Sequence, residues 1–594
     1  MRYDSWPNLP TMFFDMAREV GERPLMWAKR DDAWHSLSGT EAARQAAAIS
    51  RHLTGIGIAP GDRVMLVSEN RPEWGIADMA IMSAGAIAVP AYVTNSVSDH
   101  VHVMADSGAR AAIVSTAALA DRVLRAAREV PGLDRVLTME PPAETDGYEC
   151  ADWRETLRRH DGPPDDVAAS AAGLARDDTA CLIYTSGTGG APKGVMQSHG
   201  AILSNCKGAY HLLLDLGVDD EVFLSFLPLS HSYEHTAGLM FPISIGAQIY
   251  YAEGIEKLAG NMLEARPTIM TAVPRLYETM HGRIVRGIEQ AGGPRAWLFG
   301  KAVALGTRKI EEPGSLTVGE RMLDKVVDRL VRAKVRARFG GRLKGLVSGG
   351  APLNRDIGLF FSALGLRLLQ GYGQTESAPI VSCNPPNRIK LDTVGPPLVD
   401  VEAKIADDGE ILVRGELVMR GYWNNEEATA EAIRDGWLHT GDIGTIDGDG
   451  YIRITDRKKD IIVNSGGDNV SPQRVEGFLT LQPEIGQAMV YGDRKPNLVA
   501  LIVPDEEFAG EWAEQAGKSP DLAGLAADPD FAAAIEKAVA RVNADLSVIE
   551  RVRKFALHGD PFTIENGLLT PSLKIRRHLI VAAHRETLEA LYAR

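Results

Sequence analysis

The feature that most constrains the fold is an alternation of short β-rich runs with helix-like segments between about residues 60 and 380. Runs such as "RVMLVSEN", "ACLIYTSG" and "LRLLQGYG" are short, apolar and bounded by turn residues, which is typical of buried strands. Segments between them, such as "RPEWGIADMAIMSAG", have helical spacing. Such alternation predicts an α/β fold, with mainly parallel sheets covered by helices. Ligands are then expected at the carboxyl ends of the strands.

The sequence pattern changes after about residue 392. The stretch "VEAKIADDGEILVRGELVMRGYW" predicts short antiparallel strands joined by Asp-Gly turns. A further boundary is expected within "ITDRKKDIIVNSGGDNVSP" (454–472), and the strands and helices beyond it predict a small α+β domain. We therefore predict an N-terminal domain over 1–456, with a β module near 392–456, and a mobile C-terminal domain over 457–594.

Composition excludes several classes of protein. A chain of 594 residues is too long for one ordinary core, so two or more domains are expected. The net charge of -15 argues against a general nucleic-acid binder, whose affinity rests on neutralising phosphates. The four cysteines form no CxxC pair and favour a reducing compartment without disulfides. The charged N-terminus does not read as a signal peptide, so we expect a cytoplasmic protein.

The stretch "YTSGTGGAPKG", Tyr184–Gly194, predicts a phosphate-binding loop. Glycines let backbone N–H groups approach an anion, hydroxyl side chains add donors, and Lys193 adds positive charge. A Walker loop requires glycine before the lysine and serine or threonine after it, whereas here Pro192 and Gly194 flank Lys193. The loop therefore predicts phosphate binding of another type.

The stretch "GYGQTES" (371–377) follows a predicted strand. It is not a dinucleotide fingerprint, because Glu376 stands where that motif requires glycine. A carboxylate after a threonine at a strand end suits Mg²⁺ beside a triphosphate, since Mg²⁺ prefers one or two carboxylates plus phosphates. From the residues alone, Glu376 could equally cap a helix.

The stretch "HSYEH" (231–235) matches the H-x-x-E-H pattern of some zinc metalloproteases. That pattern requires a helix and a further ligand, whereas here "FLPLS" precedes it, with Pro228 three residues upstream. We therefore do not predict zinc. The stretches "DDGE" and "DGDG" lack the spacing of a calcium loop.

Six motifs, in order, resemble those of the adenylate-forming superfamily of acyl-CoA synthetases, luciferases and peptide-synthetase adenylation domains. They are "YTSGTGGAPKG", "SGGAPL" (348–353), "GYGQTES", "GWLHTGDIG" (436–444), "DRKKDIIVNSGGDNVSP" (456–472) and "NGLLTPSLKIRR" (566–577). They cover most of the chain from residue 184 onward, and the preceding region fits the family's N-terminal subdomains. The stretch "LPLSHSYEH" and the C-terminal tail look most like long-chain fatty-acid–CoA ligases.

The resemblance implies a mechanism that uses ATP, Mg²⁺ and CoA. It implies catalytic roles for Lys193, Thr375, Glu376 and Lys574, with Glu376 as the Mg²⁺ ligand. The implied ATP and AMP contacts are Thr185, Ser186, Gly187, Thr188, Gly189, Lys193, Gly349, Ala351, Pro352, Gly371, Tyr372, Gly373, Thr375, Asp442 and Arg457.

The remaining implied sites are an acyl pocket, a hinge and a CoA contact. They are His231, Gly349 and Gly373 for the acyl pocket, Lys459 for the hinge, and Gly466 and Gly467 for CoA. We expect Asp442 in a tight turn, where its carboxylate accepts the ribose hydroxyls. Gly189 departs from the family, which usually has a hydroxyl residue there, and this change could raise the KM for ATP.

These observations predict an ATP-dependent fatty-acid–CoA ligase, with a long-chain acid favoured. The apolar run 236–247 could line the acyl pocket or belong to the core. The alternatives are a medium-chain or aryl-acid ligase, and a fatty acyl-AMP ligase that delivers to a carrier protein. A non-catalytic nucleotide-binding protein is disfavoured, because the motif residues Glu376, Asp442, Arg457 and Lys574 are all present.

The expected partners are the small-molecule substrates, namely a fatty acid, ATP and CoA, and no nucleic acid. Residues 320–344 contain nine Lys/Arg and three acidic residues, with apolar residues at helical spacing. Such a helix could make a weak peripheral membrane contact, or it could be an ordinary surface helix. A homodimer also stays open.

Overall fold

The computed structural model of the protein describes residues 1–142, 145, 147–185, 191–458, 461–466, 468–564, 566–570 and 574–593, without the side chains of residues 289 and 469. Within these ranges the N-terminal part contains two sheets of eight strands each. Most neighbouring strands in both sheets are parallel, and antiparallel pairs lie near the ends. The α/β fold predicted from the alternating pattern is therefore confirmed.

The first sheet carries the candidate site at one end. In spatial order its strands are Ile380–Cys383, Leu368–Gly373, Gly345–Ser348, Ile269–Ala272, Val222–Ser225, Gln248–Tyr251, Pro24–Arg30 and Ala33–Ser38. The second sheet runs in the order Gly421–Tyr422, Lys193–Ser198, Thr179–Thr185, Ile87–Ala91, Arg63–Val67, Ala111–Val114, Arg135–Thr138 and Glu149–Asp152.

Helices cover both sheets. The α-helices of this part are Leu9–Val20, Gly39–Gly55, Pro72–Ser83, Val97–Ser107, Ala117–Ala127, Trp153–Arg159, Asp165–Ala171, His199–Leu213, Ser232–Glu234, Phe241–Ser244, Leu258–Ala265, Pro274–Ala291, Gly293–Glu311, Val318–Val327, Ala333–Arg338, Arg355–Ala363 and Glu426–Ala432. Short 3₁₀ turns occur at Leu214–Leu216 and Thr375–Ser377, and π-helical turns at His235–Met240 and Asp328–Arg332.

The helix Pro72–Ser83 shows why the two sheets form one body. Its sequence, "PEWGIADMAIMS", is apolar on all sides, which is typical of a fully buried helix. Eleven of its residues are buried, in a core cluster that also contains Met26 of the first sheet and Leu66 of the second.

Among the described residues, none of the helices combines the length and apolarity needed to cross a bilayer.

The predicted β module forms a five-stranded antiparallel sheet of described residues, made of Glu402–Ile405, Glu410–Arg414, Ile433–Arg434, Trp437–Ile446 and Ile452–Arg457. The strands that follow are Ile462–Val463, Asn469–Val470, Ile485–Tyr491, Leu498–Pro504 and Val552–Leu557. Their helices are Pro472–Leu479, Glu506–Ala516, Leu522–Ala526, Pro529–Asp545, Arg577–Ala583 and Arg585–Ala590. This C-terminal part packs around its own core, which contains Phe531 and Ile502.

The basic segment 320–344 is helical over only part of its length. The helix runs from Val318 through the π-helical turn to Arg338. It ends there because Gly340 and Gly341 adopt φ values of 82° and 73°, which reverse the chain.

Candidate active site

A single cleft brings together residues of the N-terminal body and of the C-terminal part. Its volume is about 2410 Å³, larger than the roughly 300–1,000 Å³ typical of one small-molecule site, so it has room for more than one substrate. The predicted site residues that line it are Thr185, Lys193, His231, Gly349, Ala351, Pro352, Gly371, Tyr372, Gly373, Thr375, Glu376, Asp442, Arg457 and Lys574.

The remaining predicted residues fall into two groups. Ser186, Gly187, Thr188, Gly189, Lys459 and Gly467 lie outside the described residues. Gly466 is described and exposed, and its backbone N–H donates to Oδ1 of Asn464 at 2.8 Å. The structure therefore separates Gly466 from the residues that line the cleft.

The Thr375–Ser377 turn is fixed by buried amide side chains. Nε2 of Gln197 donates to the carbonyl oxygen of Thr375 at 2.7 Å. Nδ2 of Asn205 donates to the carbonyl oxygen of Ser377 at 3.1 Å. Gln197 is fully buried and Asn205 is 1% exposed. Because buried polar groups are costly to leave unpaired, these bonds hold the backbone next to Glu376 in one geometry.

The Glu376 carboxylate and the Lys193 ammonium meet across the ring of Tyr422. The Tyr422 hydroxyl donates to Oε1 of Glu376 at 2.8 Å, and Nζ of Lys193 lies 5.0 Å from the centre of the Tyr422 ring. Burial and the Glu376 charge raise the pKa of Tyr422, so its hydroxyl stays protonated and donates. The opposite charges of Lys193 and Glu376 thus lie on one wall of the cleft, and Tyr422 orients both.

Asp442 lies within the strand Trp437–Ile446, so the predicted tight turn is wrong. The strand continues through Gly441, with a φ of 72°, and pairs Asp442 directly with Arg457 on the neighbouring strand. Nε of Arg457 donates to Oδ1 of Asp442 at 2.9 Å, and the hydroxyl of Tyr372 donates to Oδ2 at 2.6 Å. A carboxylate has about four acceptor positions, so capacity remains for two ligand hydroxyls.

His231 is a neutral residue of the cleft wall. Its Nδ1 accepts a bond from the backbone N–H of Tyr233 at 3.1 Å. Burial, and to a smaller extent the charge of Lys574, lowers the pKa of His231 to about 3. Lys574 of the C-terminal part lines the same cleft as His231.

The three side chains of the "HSYEH" stretch that could bind zinc have different partners. His231 bonds to the backbone, Glu234 accepts from Oγ1 of Thr271 at 2.7 Å, and Nε2 of His235 lies 2.8 Å from Oδ2 of Asp78. Burial raises the pKa of Glu234 to about 7. Across the described ranges, no cluster of three or more His, Cys, Asp or Glu residues is arranged to hold a metal.

One arm of the cleft is apolar. The apolar residues along it include Ala209, Leu212, Leu213, Phe223, Phe226, Ala237, Phe241 and Ile269. Of the run 236–247, Ala237 and Phe241 line the cleft, whereas Leu239 and Ile243 are fully buried core residues. The run therefore belongs both to the cleft wall and to the core.

Two of the predicted acyl-pocket residues have little space for a side chain, and at Gly373 there is none. A Cβ on Gly349 would lie 3.0 Å from Cζ of the Tyr233 ring. A Cβ on Gly373 would lie 1.8 Å from the carbonyl oxygen of Pro379. Both glycines let the chain approach its neighbours closely in the wall of the cleft.

Contacts of the helix Pro274–Ala291 hold the C-terminal part in this position. Arg286 forms ion pairs with Asp505 at 3.0 Å and with Glu507 at 2.9 Å. Nη2 of Arg275 donates to the carbonyl oxygen of Gly486 at 2.6 Å. These polar contacts involve partly exposed side chains, and Leu481 of the C-terminal part also packs against the apolar cluster that contains Tyr277 of this helix.

Comparison with known families identifies the class of the protein. The family model described as AMP-binding enzyme matches residues 13–423, and the model of the AMP-binding enzyme C-terminal domain matches residues 459–594. The chain therefore belongs to the AMP-binding enzyme family, and the adenylate-forming resemblance predicted from the six motifs is confirmed.

The relatives it matches over most of its length are named as fatty-acid ligases. Long-chain-fatty-acid–CoA ligase FadD15 of Mycobacterium tuberculosis is 36% identical over 593 residues, which cover 98% of this chain and 97% of that protein. Long-chain-fatty-acid–CoA ligase 6 of Homo sapiens is 30% identical, covering 99% of this chain and 89% of that protein.

Solved structures support the fold. The adenylation domain of a carboxylate reductase from Mycobacterium chelonae has a TM-score of 0.75 at 22% identity, covering 99% of this chain and 91% of that one. A benzoate CoA ligase from Burkholderia xenovorans has a TM-score of 0.70 at 22% identity, covering 96% of this chain and 99% of that one.

Proposed function

We propose that the protein is an ATP-dependent fatty-acid–CoA ligase that prefers long-chain acids. One observation carries the proposal: Lys193, Glu376, Asp442 and Lys574 line a single cleft that also has an apolar arm. The charged part suits a nucleotide triphosphate, and the apolar arm suits an acyl chain. The names of the long, similar relatives support the same activity.

In the first step an oxygen of the fatty-acid carboxylate attacks the α-phosphorus of ATP. The bond from that phosphorus to the bridging oxygen breaks, which gives acyl-AMP and pyrophosphate. Lys193 and Lys574 stabilise the charge that develops on the phosphates, and Thr375 donates to it, because fixed cations and donors act strongly in a site that excludes water. Asp442 holds the nucleotide by accepting its ribose hydroxyls.

Glu376 is the residue that we propose to hold Mg²⁺. Its carboxylate lines the cleft, and Tyr422 occupies one oxygen with a single hydrogen bond, so the group retains the capacity to act as an oxygen ligand. A single carboxylate together with substrate phosphates fits the preference of Mg²⁺. When bound there, the ion would neutralise phosphate charge.

In the second step the thiol of CoA attacks the acyl carbon, loses its proton to solvent, and AMP leaves. We propose that the C-terminal domain first rotates about Lys459, which takes Lys574 out of the cleft and brings Gly466 and Gly467 toward the thiol. The presence of Lys574 in the cleft lining, to which Gly466 does not belong, supports this order. Hinge residues of this kind lie at the ends of elements and absorb the change in backbone angles.

Domain limits and location complete the proposal. We place the boundary between the two domains after residue 456. We propose that the protein is cytoplasmic and makes a peripheral membrane contact within 320–344. The neutral His231 suits the entrance to the apolar arm, because a charged residue there would oppose entry of an alkyl chain.

Pyrophosphate release tests the function directly. Purified protein with MgATP is given acids from acetate to oleate, and benzoate, each with and without CoA. Turnover with long-chain acids that requires CoA is the expected result. Turnover with benzoate or a medium-chain acid instead would indicate an aryl-acid or medium-chain ligase. Pyrophosphate release independent of CoA would indicate an acyl-AMP ligase. No release with any of the acids would contradict the proposal.

A further inference from the structure

One segment of the cleft wall contacts the turn that carries Thr375 at two points. Oγ of Ser232 lies 3.1 Å from Oγ1 of Thr375. Oγ1 of Thr236 donates to the carbonyl oxygen of Ala378, the residue after the turn, at 3.1 Å. Ser232 and Thr236 are each 1% exposed, so both contacts lie in the interior, where a polar group is costly to leave unpaired. We call residues 232–241 the bridging segment.

The bridging segment also forms part of the apolar arm. Ala237, next to Thr236, and Phe241 line the cleft. The Phe241 ring packs edge-on against the ring of Phe223, another residue of the arm, with 5.9 Å between the ring centres. An acyl chain in this arm would therefore contact the segment within one residue of a side chain that holds the turn.

Buried side chains anchor the bridging segment on its other side. Nε2 of His235 lies 2.8 Å from Oδ2 of Asp78, and both side chains are fully buried. Asp78 belongs to the buried helix whose core cluster joins the two sheets. The hydroxyl of Tyr233 donates to the carbonyl oxygen of Val347 at 3.0 Å. Because a close-packed interior transmits strain, these anchors let a contact made in the arm act on the turn.

The contact with Ser232 bears on the proton of the Thr375 hydroxyl. A hydroxyl group has one proton to donate and two lone pairs that accept. When Ser232 donates to Oγ1 of Thr375, the proton of Thr375 stays available for a phosphate oxygen. The bridging segment is thus linked directly to the group that we assign as a donor to the phosphates.

We propose that Ser232 and Thr236 are positioning residues that make the rate of adenylation depend on how far the acyl chain fills the apolar arm. A long chain that contacts Ala237 and Phe241 stabilises the arrangement in which both residues bond to the turn. A short chain does not reach these contacts, so the turn is held less firmly during the reaction. Binding energy from a remote part of the substrate then raises the rate of the chemical step and not only the affinity. The inference rests on the proposed function, because it states how the same site selects a long-chain acid.

The chain-length dependence of the adenylation rate tests the proposal. Acyl-AMP formation is followed in single turnovers at saturating MgATP and saturating acid, with octanoate and with palmitate. We expect the wild-type rate to be about tenfold higher with palmitate. In Thr236→Val, which keeps the branched shape but loses the hydroxyl, this ratio should fall to about two, and Ser232→Ala should lower it in the same direction. A chain-length dependence confined to the acid concentration that gives half the maximal rate would overturn the proposal.

Ser244→Ala is the matched control. Ser244 is fully buried and lies three positions after the bridging segment, and its hydroxyl bonds to Tyr3 and to the carbonyl oxygen of Phe241 rather than to the turn. We expect its melting temperature to fall about as much as that of Thr236→Val, with the wild-type rate ratio retained. Thr236→Ser, which restores the hydroxyl, should also restore the ratio. Equal losses of rate with both acids in Thr236→Val, or a lost ratio in Ser244→Ala, would show a structural role alone and overturn the proposal.

Hydrogen exchange separates this proposal from the proposed function. Exchange of the backbone N–H groups of residues 374–378 and 237–241 is measured on the full-length protein with octanoate or palmitate, without ATP. We expect palmitate to slow exchange in both stretches of the wild type, and only in 237–241 of Thr236→Val. Slower exchange in both stretches without any acyl-AMP formation would support the link and contradict the proposed function. Slower exchange in 237–241 alone, or in neither stretch, of the wild type would overturn the link.

Discussion

The two sides of the cleft are built differently. On the N-terminal side, buried groups such as Gln197, Asn205 and Tyr372 bond to the turn after the strand and to Asp442. On the C-terminal side, Lys574 is exposed, and Arg286 forms ion pairs with partly exposed carboxylates. One side is fixed by bonds that are costly to break, and the other by contacts that separate readily.

The contacts on the two sides of the cleft differ in the free energy needed to break them. A buried hydrogen-bonded group that loses its partner costs about 1–3 kcal/mol, whereas an exposed ion pair contributes about 0–1 kcal/mol. A fixed wall can present preorganised charge to ATP, since it requires no reorganisation during the reaction. The weakly held side can leave after the first step. The following predictions test this contrast from the largest effect to the smallest.

Lys574→Ala should show that the mobile side supplies charge only to the first step. We expect adenylation to fall by about 10²–10³-fold, the usual loss when one charge-stabilising group is removed. Thioester formation from added acyl-AMP should stay within about twofold, because Lys574 has then left the cleft. Lys537→Ala, at an exposed position of the same part, is the control, and equal losses in both half-reactions would contradict the contrast.

Asp442→Asn should weaken nucleotide binding and also lower the stability of the N-terminal side of the cleft. Loss of the charge-assisted bonds from Arg457 and Tyr372, which contribute about 1.5–3 kcal/mol each, should raise the KM for ATP by roughly tenfold or more. The melting temperature should also fall. Steady-state kinetics and calorimetry measure both effects, and an unchanged KM for ATP would remove Asp442 from the nucleotide site.

Gln197→Ala should act on the reaction through Thr375. The variant leaves the Thr375 carbonyl without its buried donor, which should cost about 1–3 kcal/mol of stability. We expect kcat for adenylation to fall by about tenfold, with a smaller change in the KM for the fatty acid. Gln197→Glu, which cannot donate when ionised, should resemble the alanine variant, and wild-type kcat in both would show that this bond does not position the turn.

Arg286→Gln should have the smallest effect, and a selective one. Weakening its two ion pairs should lower adenylation by no more than about threefold, because ion pairs between partly exposed side chains contribute little. Thioester formation should stay equal or rise slightly. Arg283→Gln, one turn earlier on the same helix and exposed, is the control. The ratio of the two half-reaction rates is the measured quantity, and a fall in thioester formation alone would reverse the assignment.

Local patterns predicted the parts of the site that depend on local chemistry. Neighbouring residues and the family resemblance pointed to Lys193, the "GYGQTES" motif and Lys574. The structure places Lys193, Glu376 and Lys574 in one cleft, and the roles proposed for them stay predictions. The strand–helix alternation likewise predicted the parallel sheets, because a buried strand can be recognised in the sequence as a short apolar run bounded by turn residues.

Contacts between distant parts of the chain could not be predicted in this way. Tyr422 orients Glu376 from 46 residues away, and nothing in "MRGYW" distinguishes it from a core tyrosine. Gln197 bonds to Thr375 across 178 residues. The glycine-rich stretch "HTGDIG" predicts a turn at Asp442, whereas pairing with the strand of Arg457 makes Asp442 part of a sheet.

The most direct test of the account is a single-turnover experiment with MgATP and palmitate, analysed by mass spectrometry before and after CoA is added. The account predicts that palmitoyl-AMP forms without CoA and converts to palmitoyl-CoA once CoA is present. In Lys574→Ala the first product should form slowly, while added palmitoyl-AMP should convert at the wild-type rate. Absence of palmitoyl-AMP in the wild type before CoA is added, with palmitoyl-CoA still formed afterwards, would contradict the account.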